Sequence, residues 1–141
     1  MTTTLDSNVI SALLRGEGTE AAIRRVLNAS RQQGELLVCG VVHAELLAGP
    51  GITASLLDRF LDATGIRVDW LLEEAIWRSA GAAFAPYAGK RRTSGGGTPR
   101  RLLADFLIGA HAAVRGARLI TLDAAHYKTS FADLEVVIPA W

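Results

Sequence analysis

Short continuous apolar runs alternate along this chain with apolar stripes at helical spacing. Thr2 to Leu5 carries β-branched residues and runs into Asp-Ser-Asn, three types that cap helices, before Val9, Ile10, Leu13 and Leu14 recur at helical intervals. That pattern predicts strand, turn and helix. After Gly16 and Gly18, Thr19 is placed to cap a second helix whose stripe is Ala22, Ile23, Val26 and Leu27, opposite Arg24, Arg25 and Arg31. Leu36 to Cys39 predicts a buried strand punctuated by Gly40. The helix after it carries Val42, His43, Glu45, Leu46 and Leu47 and stops at Gly49-Pro50-Gly51. An amphipathic segment, Leu56 to Leu61, leads into a strand at Ile66-Arg67-Val68, and a longer helix from Leu71 to Phe84 is expected to end near Pro86. Lys90 to Arg101 predicts a flexible basic loop, with Pro99 near the start of the helix that holds Asp105. Leu119 to Leu122 and Val136 to Ile138 are the last strands. Strands alternating with helices, without an internal repeat, imply a central, mainly parallel sheet covered on both faces. The expected fold is a three-layer α/β/α sandwich, as one domain over residues 1–141.

Composition narrows the class. Of 141 residues, 50% are hydrophobic, which supplies one real core and excludes disorder as the main state. The single cysteine, Cys39, excludes an internal disulfide and the thiolate sets of zinc or iron–sulfur sites. The longest apolar stretch, Leu102 to Val114, is broken by Asp105, Gly109 and His111 and falls short of the ~18 apolar residues of a membrane span. The first residues lack a basic region followed by a hydrophobic signal core, so a cytoplasmic protein is expected, without a membrane partner.

Four acids stand out. Asp6 and Asp123 each follow a predicted strand and precede a helix, which in a parallel sheet puts them at the strands' carboxyl ends, where open α/β sheets hold ligands. Both positions also suit ordinary helix caps. Asp105 is the sole ionisable residue of Leu-Leu-Ala-Asp-Phe-Leu-Ile-Gly-Ala, and Glu45 is flanked by Val41, Val42, Leu46 and Leu47. An unpaired buried carboxylate is costly and titrates high, whereas a bound cation favours its charged form. A solvated helix face is the plainer alternative for both. If the fold gathers the four, two carboxylates ~4 Å apart repel by roughly 4 kcal/mol at an effective dielectric near 20, so the cluster calls for cations. Hard oxygen donors point to Mg²⁺ or Mn²⁺, which would activate water and neutralise a phosphodiester's developing charge.

The segments Leu5-Asp6-Ser7-Asn8, Ala44-Glu45-Leu46, Ala104-Asp105-Phe106-Leu107-Ile108-Gly109-Ala110 and Ile120-Thr121-Leu122-Asp123 resemble, in order, the four acidic motifs of PIN-domain ribonucleases. In order and chain length the resemblance is nearest to the VapC toxins of bacterial toxin–antitoxin pairs, and it covers essentially the whole chain. It implies a PIN-like fold in which Asp6, Glu45, Asp105 and Asp123 hold Mg²⁺, supported by Ser7, Asn8 and Thr121. The implied activity is metal-dependent RNA cleavage, restrained by a cognate antitoxin whose tail occupies the cleft. A PIN nuclease that matures or degrades RNA without an antitoxin, and an inert PIN-like module that binds RNA or protein, stay open beside it. The first strand, Thr-Thr-Thr-Leu, is more polar than the aliphatic strand usual in the family.

A net charge of +1 says little about nucleic acid, but its distribution says more. Between Glu74 and Asp105 there is no acid, while Arg78, Lys90, Arg91, Arg92, Arg100 and Arg101 are basic. Arg91, Arg92, Arg100 and Arg101 are therefore candidates to hold RNA phosphates beside the acids; a solvated loop, or one that contacts an acidic antitoxin segment, is the alternative. His43 and Glu45 spell a fragment of the nucleobase deaminase signature, which one cysteine cannot complete. His111 and His126 read as polar groups on the surface or behind the site. Trp70, Trp77 and Phe84, seven residues apart, read as packing, with a homodimer face as one outcome.

Overall fold

The computed structural model describes residues 1–93 and 103–140. Its elements run β1 (Thr3–Leu5), α1 (Ser7–Arg15), α2 (Glu20–Gln33), β2 (Leu36–Cys39), α3 (Gly40–Leu46), α4 (Ala54–Ala63), β3 (Ile66–Asp69), α5 (Glu74–Thr93), α6 (Leu103–Val114), β4 (Arg118–Ile120), α7 (Ala124–Ser130) and β5 (Val136–Val137). The five strands form one sheet in the order β3-β2-β1-β4-β5, every pair parallel. Helices flank this sheet, as the alternation of patterns predicts. The chain steps outward from β1 through β2 to β3, then returns to the other side of β1 for β4. The strand order thus reverses between β1 and β4, and their carboxyl ends border the crevice in which open α/β sheets hold ligands.

The central strand is buried throughout, its two threonines included. Thr3 Oγ1 accepts a hydrogen bond from Arg118 Nη2 at 3.3 Å, whereas the Thr4 hydroxyl has no partner among the described residues. Flanking strands supply Leu36 to Cys39 and Leu119 to Ile120, all buried, and Ile10, Ile23, Leu57, Ile76 and Ile108 close the core around them.

Two helices depart from the sequence reading. Gly40 opens α3 instead of ending the preceding strand, and α5 starts at Glu74 and continues through Pro86 to Thr93, so Lys90, Arg91 and Arg92 are helical. An interior proline costs about 3 kcal/mol through the lost hydrogen bond and the ring's clash. Here α5 lies along α6, with Phe84 edge-to-face on Phe106 at 5.1 Å and Tyr87 tilted on the same ring at 5.4 Å, and this packing on both sides of Pro86 offsets that cost. The remainder of the expected basic loop, with Pro99, Arg100 and Arg101, lies outside the described residues. At Gly109 a Cβ would stand 2.3 Å from the Phe131 ring, so only glycine lets α6 lie this close to the end of α7.

Candidate active site

Asp6 leaves β1 with an extended backbone and caps α1. Its carboxylate is 6% exposed and accepts three hydrogen bonds: from the Ser7 N–H to Oδ1 at 2.8 Å, and from the Thr121 and Tyr127 hydroxyls to Oδ2 at 2.8 and 2.9 Å. Burial pushes the Asp6 carboxyl up, the three donors pull it back, and the negative charge of Asp105 adds to the rise. Glu45, half-buried on α3, is also raised, first by burial and then by the charges of Asp105 and Asp6, against a hydrogen bond from the Ser7 side chain. Its Oε1 is buried without a hydrogen-bond partner among the described residues. Asp105 stands in the first turn of α6, and because α3 packs on both α1 and α6 the three carboxylates come within electrostatic reach of one another.

Asp123 is tied to the same corner through its backbone. It occupies the cap position of α7 but its side chain makes no cap bond, and its N–H donates to Thr121 Oγ1 at 3.1 Å, the hydroxyl that in turn donates to Asp6. Asn8 braces the same corner: its Oδ1 accepts the Leu122 N–H at 3.2 Å, and its Nδ2 lies 3.4 Å from Thr121 Oγ1. A cleft of about 510 Å³ opens beside Glu45, walled on one side by Ser7, Asn8, Ser11 and Arg15 of α1 and on the other by Leu46, Pro50 and Ile52.

An all-oxygen donor set, the raised carboxyls of Asp6 and Glu45, and a Glu45 oxygen without a partner among the described residues suit a hard divalent cation. Among the described residues, no three Asp, Glu, His or Cys side chains converge into a finished metal cage.

Arg91 is half-buried and Arg92 exposed near the end of α5. His43 Nε2 is 2.8 Å from Asp58 Oδ1, and its ring meets Trp70 edge-on at 4.9 Å. His126 is buried between the rings of Phe106 and Tyr127, each 4.7 Å away, and His111 is wholly buried against Asp69, so none of the three is a surface group. Cys39 is buried and burial raises its thiol, as suits a small hydrophobe. The seven-residue aromatic series divides: Trp70 precedes α5 and is exposed, Trp77 is half exposed, and Phe84 packs inward. Tyr127 and Asp69 escaped sequence reading. Tyr127 had a legible signal, since it follows Asp123 by four residues and shares its face of α7.

Parallel strands with acids at the reversal of strand order define an α/β domain with an acidic edge, and a family comparison gives it its family. The model of the PIN domain matches residues 3–132, and the chain belongs to that family. No curated protein matches it. Among solved structures it is similar to VapBC2 from Rickettsia felis, bound to a DNA fragment from their promoter, at 17% identity over 98% of both chains and a TM-score of 0.69. It is similar also to VapBC-1 from nontypeable Haemophilus influenzae, at 21% identity over 98% of both chains and a TM-score of 0.66. A toxin–antitoxin complex from Klebsiella pneumoniae matches at 17% identity, again over 98% of both chains, with a TM-score of 0.66.

Proposed function

We propose that this PIN domain is a Mg²⁺- or Mn²⁺-dependent endoribonuclease and the toxin of a toxin–antitoxin pair. The observation that supports the reading is an acidic group at one edge of the sheet, in which the charge of Asp105 raises both the buried Asp6 and Glu45, whose Oε1 has no hydrogen-bond partner among the described residues. Asp6, Glu45, Asp105 and Asp123 would hold the cation, with Ser7, Asn8 and Thr121 keeping the carboxylates oriented. A bound Mg²⁺ or Mn²⁺ supplies a nucleophilic water at neutral pH and offsets the charge that develops on the phosphodiester. The chain's own part is to seat the RNA strand in the cleft beside Glu45, keep the acids ionised and aimed, and draw phosphates in with Arg91, Arg92, Arg100 and Arg101.

The choice of RNA rests on the family resemblance and the basic residues, and the antitoxin partner on the resemblance and on relatives that are toxin–antitoxin complexes. In this reading an antitoxin tail fills the same cleft. Of the aromatic series, Trp70, just before α5, and Trp77, within it, are exposed, and in this reading they face a second copy of the chain. Among the described residues no helix is long and apolar enough to cross a membrane.

Cleavage of a mixed cellular RNA pool tests the reading. The purified protein is compared in Mg²⁺, in Mn²⁺, in EDTA, and as Asp6→Ala and Asp105→Ala variants. Discrete products that need both metal and acids are expected. Products that persist in EDTA, or in either variant, would overturn it.

A further inference from the structure

The hydrogen bonds around Asp6 leave its two oxygens unequal. Each carboxylate oxygen offers two lone pairs. Those of Oδ2 are taken up by the Thr121 hydroxyl at 2.8 Å and the Tyr127 hydroxyl at 2.9 Å, while among the described residues Oδ1 accepts the Ser7 N–H alone, at 2.8 Å, and keeps one lone pair open. Thr121 and Ser7 belong to the neighbouring strand end and to the cap of α1. Tyr127 comes from a separate element, α7, whose first turn follows Asp123. It is 2% exposed, so no bulk water stands ready to replace its hydroxyl, and its ring is clamped against His126.

Resting on the proposed metal site, we infer that Tyr127 is a positioning residue: by occupying Asp6 Oδ2 it leaves Oδ1 as the single oxygen with which Asp6 can face the cation. An ionised carboxylate cannot donate, so the Tyr127 hydroxyl gives its hydrogen to Asp6 and fixes the rotation of the group from the side opposite Ser7. Without that hydroxyl, Asp6 Oδ2 recovers a lone pair and the carboxylate gains a second way to turn. Partners that orient a metal-binding group act on affinity through this kind of restraint, and their loss typically costs 10–100-fold.

Tyr127→Phe removes the hydroxyl and keeps the ring. Calorimetric titration of Mn²⁺ into the RNA-free protein is expected to give a Kd raised roughly tenfold over the parent, and excess Mn²⁺ should restore most of the cleavage rate, so that the metal requirement changes more than kcat. Thr121→Val, which frees the other lone pair of Oδ2, should shift Mn²⁺ affinity in the same direction and serves if Tyr127→Phe does not fold. Unchanged Mn²⁺ affinity in a folded Tyr127→Phe protein, with only a lower melting temperature, would reduce Tyr127 to a packing residue while the metal reading stands. A parent that binds no Mn²⁺ would overturn both.

Discussion

Two carboxylates stand at the carboxyl ends of parallel strands in this sheet, and their surroundings differ in sign. At β3, burial would raise Asp69, but hydrogen bonds from Arg115, His111 and the Leu71 N–H, with the Arg115 charge, outweigh it and hold the carboxyl at about 2. Arg115 Nε and His111 Nε2 each lie 2.9 Å from Asp69 Oδ2, and Arg115 Nη1 pairs further with Glu73. His111 is wholly buried and burial lowers its imidazole; its Nε2 faces Asp69, and its Nδ1 has no hydrogen-bond partner among the described residues. At β1, the hydrogen bonds that Asp6 accepts from described residues come from two hydroxyls and an amide, and the charge of Asp105 raises both Asp6 and Glu45. The β3 end carries its own counter-charge. In the proposed reading the β1 end takes its positive charge from a bound cation. Burial alone does not separate a structural carboxylate from a ligating one; the supply of cations around it does.

The comparison breaks most sharply in the activity of Asp105→Asn. Cleavage is expected to fall by about 10³-fold or more, while the metal-free protein melts at or above the parent temperature because one repelling charge is gone. A clear loss of metal-free stability would place Asp105 with Asp69 as a structural acid. Asp69→Ala should do the reverse, with unfolding free energy lower by about 2–3 kcal/mol in denaturant titrations and Mn²⁺ affinity unchanged, since it strands His111 and Arg115. Added metal sharpens the contrast further. At a hundredfold excess over its Kd, Mg²⁺ should stabilise the parent by about 2.7 kcal/mol in thermal scans, and EDTA should reverse this.

The smallest expected effect is in pH. A carboxyl held low in the folded state contributes stability that is present above its unfolded value near 3.8 and is lost as pH falls toward about 2, so Asp69 should add to acid unfolding in that window. Glu45 is raised, and its charge costs stability at neutral pH that returns as pH falls through its folded value. In metal-free protein, Glu45→Gln should therefore exceed the parent in stability at pH 7, with the advantage shrinking on acidification. An advantage that stays constant with pH would mean that the substitution acts by some route other than charge.

Much of this molecule is legible in the sequence because its signals are local. Cap residues, helical stripes and short apolar runs mark each strand and nearly every helix, and Asp105 declares itself as the one charge in an apolar turn. What escapes is non-local. Pro86 reads as a stop until Phe84 and Tyr87 are seen against Phe106, and Tyr127 reads as one more aromatic until its hydroxyl is found on Asp6, 121 residues away along the chain. Nothing local in the sequence sets Asp69 apart, and only the tertiary fold brings His111 and Arg115 to it.

By itself, then, the sequence determined the elements, their parallel α/β class and the acids worth suspecting, since propensity, capping and periodicity act over a few residues. Which acids meet a counter-charge was decided by the tertiary structure alone. The reversal of strand order at β1 and the packing of α3 on α1 and α6 put Asp6, Glu45 and Asp105 within reach of one another, while Arg115, just past the end of α6, lies on Asp69. Electrostatic interaction depends on distance and desolvation, and neither is a property of position along a chain.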